Sequence, residues 1–182
     1  MVLETKALTV EEFDQIALLP ENADKLLEFI GGNIVDAVSD HYASILGALM
    51  ATELYKFVEK NNLGFVTGAN GGYKINGERY IPSAAFMSKT RQAKPSREVY
   101  NSTSPDLVVE VLSRFDKPDE IAVKIVNYHL VVTVVWVVNP EQQYIRVYIP
   151  NRTPQLVGID GVLDGGDVLP GFTLPVKDIF TD

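Results

Sequence analysis

The sequence predicts a mixed α/β fold, and three observations carry that reading. The stretch from Ser104 to Pro140, SPDLVVEVLSRFDKPDEIAVKIVNYHLVVTVVWVVNP, reads as a buried strand, a polar connection, an amphipathic helix and a second buried strand. The second strand, VVTVVWVV, is apolar on both faces, which suits a sheet covered by helices better than a sandwich with one wet face. Two further segments, LLEFI-GGN-IVDAV and YIRVYI, carry shorter strand patterns, one split by a glycine turn and one strictly alternating.

The elements follow in order. Thr9-Val10-Glu11-Glu12 is a capping-box pattern, in which hydroxyl and carboxylate each satisfy the other's backbone N–H; it opens a helix that Pro20 stops near Leu19. The hairpin LLEFI-GGN-IVDAV comes next. Asp40 can cap a helix from about His41 to Lys60, with Ile45, Leu49, Leu54, Phe57 and Val58 as its apolar stripe and Asn61-Asn62 as its stop. Strand signals appear at Gly64 to Gly68, Gly72 to Ile75 and Arg79 to Met87, before a loop from Ser88 to Ser96. After the buried strand around Glu110, a helix spans about Pro118 to His129. VVTVVWVV, YIRVYI and Gln155 to Ile159 then read as strands, and LPGFTLPVKDIF as loop plus one helical turn.

Composition narrows the function classes. A chain of 182 residues is long enough for a real core and reads as one domain, or one with a small accessory layer. The absence of cysteine excludes disulfides and thiolate metal sites. MVLETKALTVEEF has neither a basic start nor a long apolar core, and the run Leu130 to Val138 is too short to span a bilayer, so a cytoplasmic protein without a membrane segment is expected. A net charge of −8 argues against general coating of nucleic acid. It does not exclude a nuclease, whose acidic site a cation would offset. Lys89, Arg91, Lys94 and Arg97 form a local basic segment that reads as a solvated loop.

Glu110 interrupts the apolar run Leu107 to Leu112, and a carboxylate inside a core strand costs several kcal/mol unless paired, hydrogen-bonded or cation-bound. It is therefore either one end of a structural salt bridge or a functional carboxylate. Asp106 shares its strand face but lies about 13 Å along at about 3.3 Å per residue, too far to grip the same small ion; turn chemistry makes it a solvated or capping residue. Lys124 and Tyr128 share one face of the following helix, although Glu120 and Lys124 have the spacing of an ordinary surface pair. Glu28 places a charge among apolar strand neighbours, as a sheet-margin carboxylate or a site residue. His41 stands at a helix start, where capping or exposure is the plain alternative.

The order of these blocks changes their weight. LLEFIGGNIVDAVSDHY, then RYIPSAAFMS, SPDLVVEVLSR, K-x-x-x-Y, VVWVVNP and a closing LPGF resemble a large bacterial restriction-endonuclease-like family of the PD-(D/E)XK nuclease superfamily. The resemblance runs from about Val10 to Phe180. It implies a single restriction-endonuclease-like domain over residues 1–182, with a central mixed β-sheet flanked by helices and an N-terminal helix and hairpin. It also implies a Mg²⁺ site fed by an Asp in the second block and by Glu110, with Lys124 beside it and Glu28 matching the hairpin glutamate. Carboxylates hold such an ion, which lowers the pKa of a bound water, and a lysine orients that water or stabilises developing charge.

One position departs from the pattern. Pro82-Ser83 stands where the family has Pro-Asp, so a neutral hydroxyl occupies the expected second metal position. Glu78 is five residues away and faces the other side in a continuous strand. The expectations are therefore a metal-dependent DNA endonuclease acting through Glu28, Glu110 and Lys124 and impaired at Ser83, or a nuclease-fold protein that binds or regulates without catalysis. A plain oligomerisation protein explains the apolar strands but not the ordered polar set. VVTVVWVV and YIRVYI also offer more apolar surface than one helix covers, which predicts a homodimer.

Overall fold

In the computed structural model, which describes residues 8–180, the strand–helix–strand unit predicted from Ser104 to Pro140 forms the centre of a six-stranded sheet. The elements are α1 (Val10–Ala17), β1 (Leu27–Ile30), β2 (Asn33–Asp36), α2 (His41–Lys60), β3 (Gly64–Gly68), β4 (Gly72–Ile75), β5 (Glu78–Tyr80), β6 (Ala84–Ser88), β7 (Tyr100–Asn101), β8 (Leu107–Val111), α3 (Pro118–Val131), β9 (Val134–Asn139), β10 (Tyr144–Tyr148), β11 (Gln155–Val157), β12 (Val162–Asp164) and β13 (Thr173–Pro175). Single 3₁₀ turns lie at Pro20–Asn22 and Val176–Asp178.

The six-stranded sheet runs β11-β10-β9-β8-β6-β3, and β8 and β9 pair in parallel, as the crossover through α3 requires. A five-stranded sheet, β2-β1-β5-β4-β7, stands beside it, and β12 and β13 form a separate ribbon. The Arg79 to Met87 stretch, expected as one strand, is broken. β5 belongs to the smaller sheet and β6 to the larger, and Ile81-Pro82-Ser83 crosses between them. Pro82 has no N–H to give a ladder, and the Ile81 N–H is taken by a side chain, so pairing lapses here.

Local chemistry explains the well-placed ends. Thr9 and Glu12 form both halves of the capping box, and the Asp40 carboxylate accepts the Ala43 N–H at the start of α2. The β1–β2 hairpin turns through Gly31 and Gly32, both at positive φ, the conformation that the favoured two-residue hairpin turn demands. The buried stripe of α2 is Ala43, Leu46, Gly47, Met50, Leu54 and Val58, so the predicted stripe is out of phase at Ile45, which is exposed.

Three apolar clusters fix the layers. One face of the six-stranded sheet packs Leu107, Val109, Trp136 and Val138 against α2 and against the C-terminal residues Leu163, Leu169, Phe172, Leu174 and Ile179. The other face brings Val108, Val135 and Val137 against Tyr128 of α3 and against Ile30, Tyr73, Ile75 and Tyr80 of the smaller sheet. Phe13 of α1 packs on Phe29, Ile81 and Tyr100. The C-terminal segment thus covers the apolar face of β9 and β10 that suggested self-association. No helix among the described residues is long and apolar enough to cross a membrane.

Candidate active site

Glu28, Glu110 and Lys124 come from the smaller sheet, the larger sheet and the crossover helix, and they meet in one ion cluster. Lys124 Nζ lies 2.8 Å from Glu110 Oε1 and 3.0 Å from Glu28 Oε1. Exposure is only 5%, 6% and 4% for Glu28, Glu110 and Lys124, so the charges face one another rather than water. Each of these two oxygens accepts a second hydrogen bond. Tyr128 Oη donates to Glu110 Oε1 at 2.6 Å, and the Ile81 N–H donates to Glu28 Oε1 at 2.6 Å. Lys124 Nζ sits 5.5 Å from the Tyr80 ring centre, and Asn127 Nδ2 in turn donates to Tyr80 Oη.

The local structure dictates this meeting. Alternation along β8 turns Val108 and Glu110 toward α3, and a four-residue spacing puts Lys124 and Tyr128 over them on one helix face. The surface alternative for Lys124 fails because Glu120 pairs with Lys117 instead, at 2.8 Å. The expected approach of Glu110 to Lys124 is present.

Two carboxylates and one ammonium leave a net charge of −1 in a buried place. Burial pushes the Glu110 carboxyl above the usual carboxylate range; the Lys124 ammonium opposes that shift and the Glu28 carboxylate adds to it. Burial alone would lower Lys124, but the two carboxylates together outweigh it and hold the ammonium more firmly than in water. Tyr128 is raised by burial and then by both glutamates, so its hydroxyl keeps its proton and remains a donor.

Ser83 stays outside the cluster. Its Oγ accepts the Val111 N–H at 3.0 Å, and a Cβ added at Gly47 of α2 would lie 3.5 Å from the Ser83 Cβ. Glu78 does not replace it, since its Oε2 accepts the Gly31 N–H at 2.8 Å. Asp106 is more firmly held than a solvated residue: it accepts the Ser88 N–H at 2.7 Å and pairs with Arg91 at 3.0 Å. Arg91 therefore leaves the basic loop to clamp the chain, bonding also to the carbonyls of Ser104, Pro105 and Val131.

The residues present do not fit a divalent ion. Among the described residues no group of three or more His, Asp or Glu side chains is arranged to hold a metal. The carboxylates of Glu28 and Glu110 already share an ammonium, bonded to one oxygen of each. Access is narrow as well. A cavity of about 40 Å³, lined by Glu28, Asp36, Phe115, Asp116, Glu120 and Lys124, reaches the cluster, with room for water but not for a phosphodiester. The large cavity, about 750 Å³, opens elsewhere, beyond the C-terminal ends of β8 and β9 and the start of α2. It is lined by Asp40, His41, Arg114, Asn139 and Glu141 among others, and by none of the three cluster residues. His41 thus belongs to that cavity and not to the ion cluster.

A family profile named Uma2 and described as "Putative restriction endonuclease" matches residues 10–177. Among solved structures, the chain is similar to one titled a "putative nuclease belonging to DUF820" from Anabaena variabilis, with 17% identity and a TM-score of 0.82 over 95% of this chain and 97% of that one. The likeness assigns the restriction-endonuclease-like fold. No curated protein matches the chain.

Proposed function

Because the chain belongs to the Uma2 family of restriction-endonuclease-like proteins, we propose that it descends from metal-dependent endonucleases acting on DNA and that its hydrolytic site, built from Glu28, Glu110 and Lys124, is impaired. The observation that supports this is the junction itself, in which charged residues from three distant segments converge while Ser83 is tied to the Val111 amide. Families of this fold usually depend on a metal, and Mg²⁺ is the ion proposed for the ancestral site. In the chain as it stands Lys124 is a positioned cation, Glu110 is held by Tyr128, and Glu28 anchors the inter-sheet crossing at Ile81. Proposed along with this are a single restriction-endonuclease-like domain over 1–182 and a cytoplasmic setting.

The test is nicking of supercoiled DNA with Mg²⁺ or Mn²⁺. Wild type should cut slowly or not at all. Ser83→Asp keeps an acceptor for the Val111 N–H, adds a carboxylate beside β8, and should raise both metal binding and cleavage. Glu110→Ala should abolish whatever cleavage exists, whereas Asp106→Ala, held by Arg91 away from the cluster, should retain it if folded. Robust wild-type cutting would refute the impairment.

A second reading, a nuclease-fold protein that binds DNA or regulates without catalysis, is favoured by the ammonium lodged between the carboxylates. DNA retention without cutting in both wild type and Ser83→Asp would select it. For assembly we propose a homodimer. With β9 and β10 covered, its apolar surface is the outer face of α3, where Val126 and Leu130 are 63% and 65% exposed. Light scattering at micromolar concentration should give a dimer mass, and a monomer would remove the claim.

A further inference from the structure

We propose that the free edge of β3 is a docking site for an extended, acidic peptide segment of another protein, which adds to the larger sheet as one more strand. β3 is one end of that sheet, and the fold leaves this edge undefended. Unpaired edges invite further strands, and proteins blunt them with charge, proline or brevity. β11, at the other end, has three residues and follows Pro154, β7 has two residues, and β2 ends in Asp36. β3 is Gly-Phe-Val-Thr-Gly, five residues with no charge and no proline.

The pairing of β3 decides which groups it offers. Opposite Gly64 and Val66 stand Ser88 and Phe86, which spend their polar groups on the β8 side. There the Asp106 carboxylate accepts the Ser88 N–H, and the Phe86 carbonyl accepts the Asp106 N–H. Residues of an antiparallel strand alternate between bonding to their partner and pointing away from it. Gly64 and Val66 therefore point their N–H and C=O groups outward, and no turn among the described residues takes them.

On the face of β3 that carries Phe65 and Thr67 lies a cavity of about 200 Å³. Phe65, Tyr73 and Met87 give it apolar walls, and Gln92 and Ser96 bring the loop after β6 to its rim. It has room for one uncharged side chain of an added strand. The same loop is the basic segment. Arg91 is spent inside the protein and Lys89 on Asn62, but the side chains of Lys94 and Arg97 have no partner among the described residues. Glu98, the carboxylate on the rim, is occupied by the Ser102 N–H and hydroxyl. Two free cations beside an apolar pocket, in a chain of net charge −8, select a strand in which acidic residues flank an apolar one.

The probe is a random dodecapeptide library displayed on phage and selected on the wild-type protein. Enriched peptides should be acidic and rich in β-branched residues. A synthetic peptide from the pool should slow hydrogen exchange at the Gly64 and Val66 amides and leave Phe65 and Thr67, which already bond to β6, unchanged. Val66→Pro removes one outward donor without touching the ladder to β6, and should weaken binding at least about fivefold. Lys94→Glu combined with Arg97→Glu should weaken it about fivefold, more at low salt than at high. A pool with no acidic bias, a bound peptide that leaves the Val66 amide exchanging freely, or affinity that survives Val66→Pro overturns the proposal. The exchange measurement decides whether or not the proline variant folds. Light scattering that finds a dimeric wild type and a monomeric, folded Val66→Pro also overturns it, because the edge would then belong to a second copy of this chain.

Discussion

Lys124→Met and Glu110→Gln remove opposite ends of one ion pair, yet they should differ sharply in cost. The cluster carries two negative charges and one positive, all at least nine-tenths buried. Glutamine at 110 still offers an oxygen to the Tyr128 hydroxyl and to Lys124, and it leaves a neutral Lys124–Glu28 pair. Its cost should be about 1–2 kcal/mol, the scale of a weakened charged hydrogen bond. Methionine at 124 fills similar space but leaves two like charges buried without a cation. Breaking a buried pair in this way costs about 3–5 kcal/mol, which for a chain of this size lowers the melting temperature on the order of 10 °C.

Acidity supplies a second signature. With Lys124 gone, the force that opposes burial at Glu110 is lost, and its carboxyl rises further than in wild type. A carboxyl raised in the folded state adds stability below its unfolded pKa and loses it as pH climbs through the folded value. The deficit of Lys124→Met should therefore shrink as pH falls from neutral toward the carboxylate range, and it should not do so once Glu110→Gln is added. Urea unfolding of the two single variants and the double variant across that range reads all of this. If Glu110→Gln costs as much as Lys124→Met, or the methionine deficit is flat with pH, the charge count behind the reasoning is wrong.

Two further perturbations test the frame around the cluster. Arg79 grips Asp14 with two hydrogen bonds, at 2.9 and 2.7 Å, and so fastens α1 to β5; Arg79→Met should cost about 2 kcal/mol and speed hydrogen exchange in α1, and unchanged exchange there would contradict the assignment. Tyr100 donates from a buried hydroxyl to the Leu27 carbonyl, and burial, with lesser help from Glu28 and Asp14, pushes its pKa up to about 12. The raised value means its share of stability is intact below its ordinary pKa near 10 and is lost as pH rises through about 12, so Tyr100→Phe should flatten the alkaline stability curve.

Much of this was readable from sequence because local rules and tertiary packing agree. Asp40 and Lys60 bound α2 where a cap and a falling propensity place them, and Glu110 announced a partner simply by interrupting a core strand. Lys124 was ambiguous for a physical reason. Val123, Val126 and Leu130 make α3 apolar on its outer side too, so periodicity does not reveal that the face carrying Lys124 and Tyr128 is the buried one. The break between β5 and β6 depends on where the Ile81 N–H goes, a contact with Glu28 across 53 positions. The β12–β13 ribbon was missed because its strands are three residues each, too short to show a period.

Under the proposed descent from an endonuclease, the same geometry explains how the charged cluster is kept while Ser83 stands where the resemblance leads one to expect an Asp. Glu28, Glu110 and Lys124 join the smaller sheet, the larger sheet and the crossover helix, and Lys124 is the condition for burying both glutamates. Loss of Lys124 leaves two like charges in the core without a cation, and loss of either glutamate strips the buried lysine of one of its two partners, so stability favours all three whether or not the protein cuts DNA. Position 83 lies outside that interdependence. Its side chain needs only to accept the Val111 N–H, which a hydroxyl does as well as a carboxylate. Under the proposed impairment, a carboxylate there would serve chemistry alone, and its replacement by Ser83 beside an intact ion cluster is what relaxed selection on catalysis with continued selection on folding would leave.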